Sequence, residues 1–130
     1  MTKVTSPRVI AVVDDDALFR RTIARLLRSG GFRVEAFESA EAFLAERSAD
    51  VVCAVLDVKL PGMSGVDLQR DLVLEERPPS IVFVSAHDDQ DIQSNVLQAG
   101  AIAFLKKPFE NSALIDAIEV AIRRHHESHG

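Results

Sequence analysis

The chain has 130 residues, and its 15 basic and 20 acidic residues give a formal net charge of −5. A chain of this length suits one domain with one core, and its acidic balance argues against direct binding to nucleic acid. No apolar run reaches the roughly 18 residues of a membrane span, so we expect a cytoplasmic protein without membrane contact. Cys53 lies in an apolar run and is expected to be a buried small hydrophobe rather than a disulfide or zinc ligand.

Strand-like and helix-like patterns alternate from the start of the chain. Arg8 to Val13 is a short apolar run rich in β-branched residues, which predicts a strand buried on both faces. Asp16 can cap a helix from Ala17 to Ser29. Phe32 to Phe37 alternates apolar and charged residues, as an edge strand does. Ser39 to Ala42 indicates a capping box that opens a second, short helix, although several registers are possible.

The same alternation continues through the second half of the chain. Val51 to Leu56 is apolar throughout, which predicts a central strand. Helix three follows, and Val73 is assigned to its apolar face. Leu97 is likewise assigned to the apolar face of helix four. The remaining predicted elements are strand four (Ile81 to Val84), a cap for helix four at Asp88 or Asp89, a left-handed end at Gly100, strand five (Ala103 to Leu105) and a fifth helix that ends at about Arg124.

Five strands that alternate with five helices predict an α/β fold with a doubly wound, five-stranded parallel sheet. We place the domain at residues 8–124 and a flexible tail at 125–130, where a transition metal held by histidines is the less favoured alternative. With the strand order 2-1-3-4-5 of flavodoxin-like (βα)5 folds, ligands bind beyond the carboxyl ends of strands one and three. Asp14, Asp15 and Asp57 follow those two strands.

This cluster of carboxylates indicates a cation site. Acidic groups held together stay ionised near neutral pH only if a positive charge offsets them, and oxygen ligands without His or Cys suit Mg²⁺. Because protein-bound Mg²⁺ commonly bridges to phosphate, one carboxylate is a candidate phosphoryl acceptor. Ser85 and Lys107, which follow strands four and five, would supply a hydroxyl and an ammonium to the transferring group.

Four motifs in order, Val12 to Asp16, Leu56 to Gly65, Val84 to Ala86 and Phe104 to Phe109, closely resemble the receiver domain of two-component response regulators. The resemblance covers Arg8 to Arg124, lies within the CheY-like superfamily and is closest to regulators of the FixJ type.

The resemblance assigns a role to each site residue. It implies that Asp57 is the phosphoacceptor and that Asp14, Asp15, Asp57 and the backbone carbonyl of Lys59 bind Mg²⁺. It also implies that Ser85 and Lys107 contact the phosphoryl group. The remaining implied features are a cis peptide between Lys107 and Pro108 and a switch formed by Ser85 and Phe104.

The function that the resemblance implies is that of a phosphorylation switch rather than an enzyme in the usual sense. Asp57 would take a phosphoryl group from a sensor histidine kinase or phosphotransfer protein, and the face of helix four, strand five and helix five would change. The output would be a downstream protein, a fused effector domain or a phosphorylation-linked dimer. Whether the chain is a stand-alone receiver or a fragment of a longer regulator or hybrid kinase stays open.

Two alternatives belong to other classes. A receiver-like interaction module would never be phosphorylated, whereas an aspartyl-phosphate phosphohydrolase would use Asp57 as a transient nucleophile. Lys59 argues against the hydrolase, because such enzymes commonly carry a second acid two residues after the nucleophile. The Lys59 ammonium is instead hypothesised to alter the lifetime of the acyl phosphate.

Overall fold

Strands and helices alternate without exception along residues 8–129, which the computed structural model describes. Their bounds are β1 (Val9–Val13), α1 (Ala17–Ser29), β2 (Arg33–Phe37), α2 (Ala40–Glu46), β3 (Val51–Asp57), α3 (Gly65–Leu72), β4 (Ser80–Ser85), α4 (Gln90–Gln98), β5 (Ala103–Lys106) and α5 (Asn111–His129). The strands form one parallel sheet in the order β2-β1-β3-β4-β5. The predicted fold class and the predicted strand order are therefore confirmed.

The sheet is covered on both faces, which explains why its central strands are apolar throughout. Along β1, Val9, Ala11 and Val13 pack with residues of α2, α3 and α4, whereas Ile10 and Val12 pack with residues of α1 and α5. Every residue of β1 is buried. This placement of helices is the one that right-handed crossovers produce in a parallel sheet. Within the described part of the chain, no helix has the length and apolarity needed to cross a bilayer.

The register of the sheet brings the ends of four strands to one edge. Val13 pairs with Leu56, so the residues that follow β1 lie beside the end of β3. Asp57 pairs with Val84, and Ser85 pairs with Lys106. The polar residues that follow β1, β3, β4 and β5 therefore share one rim of the sheet.

The caps confirm most of the predicted helix boundaries. Asp16 accepts hydrogen bonds from the backbone N–H groups of Leu18 and Phe19, at 3.0 and 3.2 Å. Asp89, one of the two residues proposed for α4, accepts from Ile92 N. Gly100 has a φ of 109°, a left-handed conformation that glycine adopts at low cost.

The predicted capping box of α2 is wrong. Ser39 does cap the helix and accepts from Ala42 N, but the third helical position is Ala42, which has no carboxylate to return the bond. Glu41 instead accepts from Met63 N in the loop after β3. A complete capping box occurs at α3, between Ser64 and Asp67.

Two apolar residues and one helix end also differ from the prediction. Val73 follows the last turn of α3 and is 49% exposed, and Leu97 is 38% exposed because α4 turns Ile92 and Val96 toward the sheet. Helix α5 continues past Arg124 to His129. Adding residues to a formed helix costs little, which explains the extension into a segment without apolar periodicity. The domain limits and the flexibility of the end stay predictions.

Candidate functional site

Three carboxylates converge at the rim where β1 and β3 end. Asp14 and Asp15 follow β1, and Asp57 is the last residue of β3. One oxygen from each of the three lies within 4.8 Å of the others. Asp14 is buried at 1% exposure, Asp15 is exposed, and the Asp57 side chain is 13% exposed. The site is thus an acidic pocket that extends from the buried Asp14 to the solvent-exposed Asp15.

Lys107 brings a positive charge to this pocket from the end of β5. Its Nζ lies 2.8 Å from Asp14 Oδ2 and 3.8 Å from Asp57 Oδ2. The backbone N–H of Lys107 donates to Ser85 O at 2.8 Å, which ties the loop to β4. The Lys107–Pro108 peptide is cis, as predicted.

Asp14 is held by partners on every side. Asp16 N donates to its Oδ1 at 2.9 Å, and Arg20 Nη1 donates to its backbone carbonyl at 2.8 Å. With Lys107 on Oδ2, both carboxylate oxygens of Asp14 are engaged. Asp14 therefore serves to fix the ammonium and has little freedom to react.

Asp57 is less completely partnered. Its Oδ1 accepts the backbone N–H of Lys59 at 3.1 Å, while its Oδ2 faces Lys107 beyond hydrogen-bonding distance. Burial and the nearby Asp14 carboxylate raise the pKa of Asp57, and Lys107 and the Lys59 N–H oppose this only in part. Added positive charge near Asp57 would therefore stabilise its ionised form.

The donor set of the pocket fits a hard divalent cation. All three candidate side-chain ligands are carboxylates, and they come from two neighbouring strands of one sheet. Oxygen ligands at a partly open site suit a small cation that keeps some of its waters. The acidic cluster can therefore bind a metal ion, and doing so would offset the repulsion at Asp57.

Ser85 is the last residue of β4, at the same rim of the sheet, whereas Phe104 lies within β5. Ser85 is 2% exposed, and its hydroxyl donates to His87 O at 3.1 Å and accepts from His87 N at 3.0 Å. Phe104 pairs with Phe83 in the sheet and packs, partly buried, on the α2–α4 side of the core. The Lys59 side chain is exposed, and within the described residues its ammonium forms no salt bridge.

Sequence reasoning missed two supports of the Asp57 loop. Glu41 accepts from Met63 N at 3.0 Å, and Gly62 (φ 73°) lets the loop approach Glu41 closely. Gly65 donates its N–H to Val58 O at 2.9 Å, and a Cβ on Gly65 would lie 2.2 Å from Asp57 O. The glycines were visible as turn residues, but their contacts depend on the tertiary approach of α2 and α3.

Sequence reasoning also missed the surroundings of the ammonium. The ring of Phe19 lies 3.9 Å from Lys107 Nζ, measured to the ring centroid. The sequence predicts only that Phe19 lies in the helix from Ala17 to Ser29, with no contact to Lys107. Its place in the first turn after the acidic residues was the available signal, because helical side chains lean toward the N-terminus.

Comparison with known proteins identifies the family. The model of the response regulator receiver domain matches residues 10–119. Nodulation protein W of Bradyrhizobium diazoefficiens is 39% identical over 124 residues, which cover 95% of this chain and 55% of that protein. Transcriptional regulatory protein FixJ of Rhizobium meliloti is 43% identical over 115 residues, which cover 86% of this chain and 55% of that protein. The chain belongs to the response regulator receiver domain family.

The solved structures agree with this assignment. The structure of response regulator StyR has a TM-score of 0.86 and 44% identity, covering 94% of this chain and 62% of that one. The predicted similarity to FixJ-type regulators and the two-component role are confirmed at the family level. The chain spans about half the length of the curated relatives it matches, between 51% and 57% in the cases compared.

Proposed function

We propose that Asp57 is the phosphoacceptor of this receiver domain and takes its phosphoryl group from a phosphohistidine on a sensor histidine kinase or phosphotransfer protein. The observation that carries the proposal is the convergence of Asp57 with two further carboxylates and the Lys107 ammonium at one rim of the sheet. Acidic and basic groups in this arrangement suit the binding and transfer of a phosphoryl group.

The geometry favours Asp57 over its two neighbours as the nucleophile. Both carboxylate oxygens of Asp14 already accept hydrogen bonds, and its side chain is 1% exposed. Asp15 is exposed at the outer side of the pocket. Asp57 Oδ2 lies in the pocket without a hydrogen bond from the described residues, so it keeps a lone pair for attack.

The proposed transfer is a direct displacement at phosphorus. An oxygen of Asp57 forms the new bond to phosphorus as the bond from phosphorus to the donor's histidine nitrogen breaks. That nitrogen keeps the electron pair and takes a proton from solvent. Attack by water on the acyl phosphate later returns inorganic phosphate and the free carboxylate, so dephosphorylation is part of the same site's chemistry.

The residues that would hold Mg²⁺ are Asp14, Asp15, Asp57 and the backbone carbonyl of Lys59. When bound, the ion would supply positive charge to the phosphoryl oxygens. The Lys107 ammonium, held by Asp14 at 2.8 Å, would act on the same developing charge.

The Lys59 ammonium, exposed near the acceptor, would alter access of water and thereby the lifetime of the acyl phosphate, so Lys59→Ala should change the dephosphorylation rate.

The output would be a change of surface. To reach a phosphoryl group on Asp57, the Ser85 hydroxyl must leave His87 O, to which it donates at 3.1 Å. That movement would release the loop after β4 and give Phe104 room to turn inward, changing the face formed by α4, β5 and α5. The partner that binds this face would be a downstream protein, a fused effector domain or a second phosphorylated copy of the chain.

Intact-mass measurement after treatment with acetyl phosphate tests the proposal. Wild type should gain the mass of one phosphoryl group in the presence of Mg²⁺ and little in EDTA, and Asp57→Asn should gain none. Asp71→Asn, which removes an exposed carboxylate of α3 outside the pocket, is the matched control and should behave as wild type.

The alternatives give different results in this experiment or in a turnover assay with a phosphate ester. An interaction module that never accepts phosphate would leave the wild-type mass unchanged. A phosphohydrolase would release phosphate from a phosphate ester over many turnovers. Either result, or labelling that persists in Asp57→Asn, would overturn the proposal.

A further inference from the structure

The ring of Phe19 closes one side of the Lys107 ammonium. Lys107 Nζ lies 3.9 Å from the centroid of this ring, 2.8 Å from Asp14 Oδ2 and 3.8 Å from Asp57 Oδ2. A cation at this distance from an aromatic ring is attracted by the ring's quadrupole, which places partial negative charge on the face of the ring. The ammonium is thus surrounded by two carboxylates and one aromatic ring.

The position of Phe19 is fixed by the same acidic run that builds the pocket. Asp16 caps α1 and accepts the N–H of Phe19, which places this residue in the first helical turn. Helical side chains lean toward the N-terminus, so a residue in this turn leans over the end of β1, where Asp14 lies.

A second ring supports the first. Phe109, two residues after Lys107, packs edge to face with Phe19 at a centroid distance of 6.1 Å and an interplanar angle of 89°. Both rings are partly buried and pack against the cluster of buried residues between the sheet and α1 and α5. The Phe19 ring is therefore held from behind while it contacts the ammonium.

We infer that Phe19 is a positioning residue for phosphoryl transfer at Asp57, acting through a cation–π contact that holds the Lys107 ammonium in the pocket. This inference rests on the proposed function. The lysine side chain is flexible, and its fully hydrated form would extend into solvent. Phe19 and Asp14 restrict that freedom before a phosphodonor arrives, so the positive charge is already in place when charge develops on the phosphoryl group.

The strength of the contact sets the expected effect. Loss of a partly buried cation–π contact should slow phosphorylation by acetyl phosphate about three- to tenfold. Phe19→Tyr keeps the ring and should stay near wild type, whereas Phe19→Leu should show the full loss. Mono-, di- and trifluorinated phenylalanine at position 19 keep the shape but weaken the π-face, so the rate should fall stepwise along this series.

Two further measurements separate positioning from packing. In a Lys107→Met background the fluorinated series should leave the phosphorylation rate flat, because the cation is gone. In the unphosphorylated protein, the Lys107 ε-methylene protons should show an upfield ring-current shift that Phe19→Leu removes and Phe19→Tyr retains.

The outcomes distinguish this inference from the proposed function. If wild type is phosphorylated but the fluorinated series is flat, or if the series keeps its slope without the Lys107 ammonium, Phe19 has only a packing role. An absent ring-current shift would likewise overturn the inference. If wild type takes no phosphoryl group at all, the proposed function itself fails.

Discussion

Replacing Gly65 with alanine tests whether β3, which ends at Asp57, and α3 need their close approach. Gly65 is the first residue of α3, and a Cβ there would lie 2.2 Å from Asp57 O, 3.1 Å from Asp57 C and 3.2 Å from Val58 Cα. All three atoms belong to the backbone of a buried strand and its continuation, so no flexible side chain can move aside. The helix must shift by about 1 Å to reach an ordinary carbon–oxygen distance.

The expected cost follows from this shift. Overpacking of this kind costs about 1–3 kcal/mol. The hydrogen bond from Gly65 N to Val58 O, 2.9 Å in the structure, would be strained or lost, and a bond of this type contributes about 1 kcal/mol. Alanine's better helix propensity returns at most about 1 kcal/mol. We expect Gly65→Ala to lower the free energy of unfolding by about 2 kcal/mol and the Tm by about 7 °C.

Urea and thermal denaturation followed by circular dichroism measure this change. Gly30→Ala is the matched control: Gly30 has a φ of −84°, and its added Cβ would meet Leu27 O at 3.4 Å, an ordinary contact. This control should lie within about 1 kcal/mol of wild type. Phosphorylation of Gly65→Ala should also slow, because the added Cβ presses on the backbone carbonyl of Asp57, the proposed phosphoacceptor. Equal stability of the two variants would refute the reasoning.

Three further predictions concern single side chains. Because the pKa of Asp57 is raised above its usual 3.8, mainly by burial, the folded protein holds this proton more tightly than the unfolded chain, and stability falls as pH rises through the folded pKa. Asp57→Asn should therefore have a higher Tm than metal-free wild type at pH 7, and the difference should disappear when the pH falls below the usual carboxyl pKa of 3.8. Added Mg²⁺ should raise the Tm of Asp57→Asn less than that of wild type. A lower Tm for Asp57→Asn at pH 7 would contradict this prediction. Burial raises the pKa of the Cys53 thiol to about 12, so iodoacetamide at pH 8 should label it in urea and leave the native protein unmodified, as mass spectrometry would show. The hydrogen bond from Met63 N–H lowers the pKa of Glu41 below its usual 4.5. This bond therefore stabilises the fold at pH values above 4.5, and its contribution is lost as the pH falls through the folded pKa. Glu41→Ala should speed hydrogen exchange at the Met63 amide, and unchanged exchange would argue against the bond.

The order of elements and the choice of acidic residues could be predicted from the sequence because both depend on local patterns. Strands buried on both faces are apolar throughout, as Val51 to Leu56 is, and a short capping side chain such as Asp16 marks the start of a helix. Parallel strands with helical crossovers then place Asp14 and Asp57 at one edge, since all their carboxyl ends point the same way. The predicted acidic pocket followed from these rules once the strand order 2-1-3-4-5 was adopted.

The errors occurred where local pattern allows more than one answer. The run from Ser39 to Ala42 suggested a reciprocal cap, but the Glu41 carboxylate accepts a hydrogen bond from the backbone N–H of Met63, in a loop 22 residues away. The apolar character of Leu97 could not show which way α4 would turn, because that depends on how the helix meets the sheet.

The sequence by itself determined which residues carry charge and at which strand ends they stand, because strand and helix periods are short-range properties. Only the tertiary structure decided the distances that give those charges their chemistry. The Lys107 ammonium binds Asp14, which lies 93 residues earlier in the chain, and the ring of Phe19 packs against this ammonium. Gly65 allows α3 to approach the backbone of Asp57 closely. These contacts depend on how the sheet and helices pack, and no local spacing in the chain encodes that packing by itself.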